Sequence, residues 1–136
     1  MSEYRLGDLQ LRIMQVLWQE GGRTVSDVHA ALRRQTPDDR QLAYTTIATM
    51  LRKMEDRGLV THDSEGRKFV YHAAVAADEV TRSMAGDLLD RLFEGSLADM
   101  VHHMLTERDV SQAEIARLEQ LIADRKAQRS RGRHVR

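Results

Sequence analysis

The chain has no cysteine, which excludes disulfides, thiolate metal sites and cysteine nucleophiles together. Aromatic residues fill only 4% of its 136 positions, so the core must be aliphatic, with the seven methionines as filler. Proline occurs once, in the polar stretch Gln35-Thr-Pro-Asp-Asp-Arg-Gln41, which reads as a connector. No apolar run approaches the ~18 residues a membrane span needs, and Met1-Ser-Glu-Tyr-Arg5 has no signal-peptide core. The expectation is a cytoplasmic protein without membrane insertion. Gly-x-Ser-x-Gly, a phosphate loop and His-Glu-x-x-His are all missing, and the carboxylates fall mostly on solvated helix faces. The sequence reads as neither an enzyme nor a cofactor carrier.

Net charge is also lacking, with 21 Lys/Arg against 21 Asp/Glu, but the balance hides a segregation. Residues 1–74 carry 11 cations against 10 carboxylates, residues 75–122 carry 4 against 10, and residues 123–136 carry 6 against 1. The middle block is a poor nucleic-acid surface, whereas the last could touch phosphate nonspecifically. Histidines offer no metal site. His102 and His103 are adjacent, about 100° apart on a helix, and cannot act as an i, i+4 pair. His62 and His72 sit on two candidate strands and face one another only in one register; the plain reading is exposed or half-buried strand residues.

What is present centres on Leu42–Leu59. As a helix it aligns Ile47, Met50, Leu51 and Met54 in one apolar stripe, with Thr45, Thr46, Thr49, Arg52, Lys53 and Arg57 on the other side. Gly58 supplies the stop. Short hydroxyls followed by long cations suit a DNA major groove. Ahead of it, residues 7–20 form a first helix with Leu9, Ile13, Val16 and Leu17 inward and Trp18 at the core's edge. Gly21-Gly22 ends it, and Thr24-Val-Ser-Asp27 is a capping box opening a second helix with Val25, Val28 and Leu32 inward.

Behind it the period changes. Leu59–Asp63 and Lys68–His72 are short, β-branched or aromatic, and joined by Ser64-Glu-Gly-Arg67, a hairpin with Arg67 and Lys68 at its tip. Three helices and a β-hairpin wing make a winged helix-turn-helix, assigned to residues 1–76. Residues 77–127 read as three short acidic helices, two of them opened by the boxes Ser96–Asp99 and Ser111–Glu114. Their apolar residues, among them Val80, Met84, Leu88, Leu92, Val101 and Leu105, cannot close a core alone, so a second copy of the chain is expected to cover them. Residues 128–136 are read as a disordered basic tail. The fold expected is mainly α, an N-terminal winged helix-turn-helix with a C-terminal three-helix dimerisation module.

These pieces together resemble the penicillinase-repressor (BlaI/MecI/CopY) family of bacterial transcriptional regulators. The carrying residues are Leu6-Gly-Asp-Leu9 with Met14, Val16, Leu17 and Trp18; Thr24-Val25 with Asp27-Val28; Ala43-Tyr-Thr-Thr46; Gly58-Leu-Val60; Glu65-Gly-Arg67 with Tyr71; and Leu89–Leu97 with Met100-Val101. The resemblance spans roughly residues 5–127. It implies a homodimeric repressor on a dyad-symmetric double-stranded DNA operator. Its copper-responsive branch binds Cu(I) through a cysteine cluster, which this chain lacks. In its β-lactam-responsive branch a partner membrane metalloprotease triggers cleavage at an Asn-Phe bond, and the corresponding step here is His103–Met104, a departure from the motif. Candidate DNA contacts are Tyr44 at phosphate, Thr45, Thr46 and Thr49 at base edges and backbone, Arg52 and Lys53 further along, and Arg67 and Lys68 on the wing. For Arg52 the competing reading is a surface pair with Glu55 or Asp56. The rival function is a winged helix used only for protein–protein contact, which gives the hydroxyls and cations of the third helix no task.

Overall fold

The computed structural model describes residues 4–36 and 42–134. Two compact units divide the chain, Met1–Leu88 and Leu89–Arg136. In the first, α1 (Asp8–Glu20) starts where Gln10 Oε1 accepts the Gly7 amide at 3.2 Å, and it stops at Gly21, whose φ of 79° leads the chain out of the helix. Ile13, Met14, Val16 and Leu17 form its buried face. After the two-residue strand β1 (Arg23–Thr24), Thr24 caps α2 (Val25–Gln35). Its Oγ1 accepts the Asp27 amide at 3.1 Å, and Asp27 Oδ2 accepts the Thr24 amide at 3.2 Å. The capping box expected from sequence is formed at both bonds.

The third helix, α3 (Tyr44–Asp56), buries Ile47, Leu51 and Met54 against α1 and α2, while Met50 is half-buried. Gly58, at φ 80°, ends it, and the Leu59 amide reaches back to the Met54 carbonyl at 2.9 Å as Leu59 enters the core. Strands β2 (Val60–Glu65) and β3 (Lys68–Ala73) then pair antiparallel around Gly66-Arg67, where Gly66 takes φ 63°. β1 adds to the other edge of β3 through Arg23↔Tyr71 and Thr24↔Val70, giving the order β1-β3-β2. The wing is thus part of a three-stranded sheet, where the sequence predicts a two-stranded hairpin. Two residues are too few to carry a period of alternation, so β1 left no signal.

Helix α4 (Ala77–Phe93) begins inside the first unit. Val80 is 1% exposed within the same core as α1–α3, Met84 packs partly against it, and Ser83 Oγ accepts the Tyr4 amide at 3.2 Å. Val80 therefore belongs to the core of the winged helix, and its sequence assignment to a dimer surface is corrected; Met84 flanks that core and stays partly open. The unit boundary falls at 88/89, where the sequence reading put it at 76/77, because α4's apolar stripe continues past that point against the first core. Trp18 also serves this core: its Nε1 donates to the Val75 carbonyl at 2.9 Å, fixing the link from β3 to α4.

The second unit contains the end of α4, then α5 (Leu97–Glu107) and α6 (Gln112–His134). Ser96 Oγ and Ser111 Oγ accept the amides of Asp99 and Glu114, each at 3.1 Å. Among the described residues, no fully buried apolar side chain lies beyond Val80. α6 extends through residues 128–134, where a disordered tail was expected. Gln128, Arg129 and Arg131 favour helix without any apolar pattern to announce it.

Candidate nucleic-acid interface

On α3 the spacing 45, 49, 52, 56 follows i, i+4, i+7, i+11, a single stripe along the cylinder. Thr45, Thr49, Arg52 and Asp56 are all exposed, and Lys53 flanks the stripe on one side. Thr46 lies off it, half-buried beside Met50. Hydroxyls hold the N-terminal half and the Asp56 carboxylate closes the C-terminal end, so the N-terminal half is the end suited to phosphate. No side chain caps that first turn, in contrast to α2. Its amides add a favourable partial charge for an anion.

Tyr44 lies on the opposite flank, 50% exposed. Its ring meets the edge of His29 at 6.1 Å and 78°, and His29 Nε2 lies 2.6 Å from the Leu42 carbonyl. His29 therefore orients both the segment entering α3 and its first side chain, a role the sequence did not signal. Arg57, counted from sequence on the polar side, is committed elsewhere: it donates to the Arg5 carbonyl at 2.9 Å and to Gln10 Oε1 at 3.3 Å.

The wing is held on α3 by a cluster that sequence reasoning missed. Cross-strand pairs His62↔Tyr71 and Thr61↔His72 place the two histidines on opposite faces of the sheet, so they do not face one another. His62 turns toward α3, with Nδ1 2.7 and 2.8 Å from the two Glu55 carboxylate oxygens. Its ring lies 4.3 Å from that of Phe69 and 5.5 Å from that of Tyr71. Burial raises the Tyr71 hydroxyl above its ordinary value of 10.0; Glu55 nearby raises it further, and Arg52 opposes both. Arg52 is thus at the junction of helix and wing. It makes no ion pair with a described residue, and the Glu55 carboxylate that could have taken it is occupied by His62. His72 faces away, with Nε2 3.2 Å from Asp63 Oδ2.

At the wing tip Arg67 and Lys68 are exposed, and Phe69, 50% exposed, follows them. Lys68 is near enough to Asp27, at the start of α2, to help lower its carboxyl, though the Thr24 hydrogen bonds matter more. Seven of the eight sequence-predicted contacts therefore have exposed side chains, with Thr46 the half-buried exception. In the second unit, His103 and Met104 are exposed positions in the middle of α5.

The family described as Penicillinase repressor matches residues 6–124. The Bacillus licheniformis penicillinase repressor is 27% identical over 122 residues, 90% of this chain and 92% of that protein. The transcriptional regulator BlaI of Mycobacterium tuberculosis is 35% identical over 86 residues, 62% of this chain and 59% of that protein. Among solved structures, the hsRosR-SG complex aligns with a TM-score of 0.53 at 18% identity, covering 93% of this chain and 97% of that one, a likeness of fold. By the extent of the family match, this chain belongs to the penicillinase-repressor family of BlaI/MecI transcriptional regulators.

Proposed function

We propose that this protein is a sequence-specific DNA-binding repressor of transcription that acts as a homodimer on a dyad-symmetric operator. The observation that carries the reading is the exposed Thr45/Thr49/Arg52 stripe on α3, beside a wing tipped with Arg67 and Lys68. A helix enters the major groove with such side chains toward base edges, while wing cations meet phosphate. Tyr44 would serve the phosphate at the flank, and Lys53 the backbone beyond the stripe. The names of the curated relatives, a penicillinase repressor and a transcriptional regulator, support the same class.

Dimerisation is assigned to the second unit. Leu92 and Leu97 are 66% and 63% exposed, and Leu121 and Ile122 are similarly open. A groove of 460 Å³ between α5 and α6 is lined by Leu97, Val101, Leu105 and Leu118. Leaving this much apolar surface in water is unfavourable by about 25 cal/mol per Å², and a symmetric partner removes it. Relief of repression by cleavage near His103–Met104, triggered by a membrane metalloprotease, remains part of the proposal on family grounds.

Selection of bound duplexes from a random pool with the full chain tests the function. The expected product is a dyad whose half-sites lie about one helical turn apart, or a simple multiple of it. Recovery of no enriched sequence, with binding equal on all duplexes, would contradict it.

A further inference from the structure

The hairpin is anchored at its base, where Val60 and Tyr71 enter the core. Its tip is roughly 13 Å further out, about four residues beyond His62 at the usual rise. A tilt of about 10° at His62 would move the tip by about 2 Å, enough to break a phosphate contact. At that fulcrum, Nδ1 of His62 meets both Glu55 oxygens, and Phe69 and Tyr71 hold its ring in place. Each partner keeps about a third of its side chain exposed, at 31% and 30%. A surface pair of this kind contributes little to stability. Its geometry, two oxygens on one ring nitrogen with the ring stacked, is far more restrained than a surface pair needs.

We propose that Glu55 and His62 are positioning residues for DNA binding: they fix the wing on α3 at the angle where Arg67 and Lys68 meet phosphate while Thr45, Thr49 and Arg52 meet bases. The inference rests on the DNA-binding reading above. The same contact keeps Glu55 away from Arg52, three residues earlier on the helix and within reach of it. Both effects act on the DNA-facing side chains without either residue touching DNA.

The test is a double-mutant cycle on the full chain, using the operator recovered by selection. Affinity is measured for wild type, His62→Ala, Arg67→Ala/Lys68→Ala and the triple variant, with a thermal melt of each. His62→Ala is expected to weaken binding about 5–30-fold in the wild-type background and less than about twofold once Arg67 and Lys68 are gone. Glu55→Gln, which keeps an acceptor oxygen for His62, should hold affinity within about threefold of wild type. Equal losses from His62→Ala in both backgrounds overturn the inference, as does Arg67→Ala/Lys68→Ala binding like wild type. A loss in Glu55→Gln as large as in His62→Ala also overturns it. Should His62→Ala melt below the assay temperature, Glu55→Ala, which leaves the aromatic stack whole, carries the same cycle. A wild-type chain that binds operator tightly while the cycle is additive fails this inference alone. A wild-type chain that prefers no duplex fails the DNA-binding reading, and the inference falls with it.

Discussion

Thr24 and Asp27 show how much a pair of side chains can set at one helix end. Thr24 satisfies the Asp27 amide, and Asp27 returns the bond to the Thr24 amide. The backbone bond first, then the Thr24 side chain, holds the Asp27 carboxyl below its ordinary 3.8. A lowered pKa contributes stability that is present above 3.8 and is lost as pH falls through the lowered value. Asp27→Ala, which removes the carboxylate and leaves the Thr24 hydroxyl in place, should therefore destabilise the chain at neutral pH by less than about 1 kcal/mol, since the carboxylate is exposed. The gap between its melting temperature and that of wild type should narrow in melts taken at successively lower pH below 3.8. A gap unchanged down to the acid limit would mean that the carboxylate has no part in the cap. This box, the Ile47/Leu51/Met54 face and the Gly58 stop were legible because each depends only on neighbours within a turn or so. His62, Glu55 and His29 were not, because their partners are set by strand register and by a loop crossing. Val80 was misplaced for a related reason: an amphipathic stripe shows which side is buried, not what covers it.

Elements were legible in proportion to their length. α1, α2 and α3 fell where helical spacing placed them, whereas the two-residue β1 had no pattern to detect. Its position is nonetheless demanding. A Cβ at Gly22 would run into the His72 ring and crowd Val70, so Gly22→Ala should turn the His72 ring away from Asp63 and strain the β1–β3 edge. Gly86 presents the opposite case, in the interior of α4, where an added Cβ would meet nothing within 4 Å. Gly86→Ala should stabilise the chain by about 0.5–1 kcal/mol and raise its melting temperature by a few degrees. Gly22→Ala should lower it. A fall for Gly86→Ala as well would indicate that a second chain packs closely on that surface.

At the scale of the whole molecule, every fully buried apolar side chain among the described residues lies in the first unit, whereas the second displays Leu92, Leu97, Leu105 and Leu121. Replacing Leu97 and Leu105 together by aspartate should leave the winged helix folded, since neither lies in its core. If the second unit pairs two chains as proposed, sedimentation should show a dimer for wild type and a monomer for this variant, and operator affinity should fall by about a hundredfold or more as two linked half-site contacts become independent. A double variant that still sediments as a dimer would place the interface elsewhere. The central claim, that the α3 stripe reads DNA, has a more direct test in operator and scrambled-duplex affinities of Thr49→Ala/Arg52→Ala, measured beside its melting curve. Both side chains are exposed and neither packs in the core, so the melt should match wild type. Preference for operator over scrambled DNA should fall by about 1–3 kcal/mol per lost base contact. Unchanged preference with an unchanged melt would contradict the assignment of α3 as the reading helix.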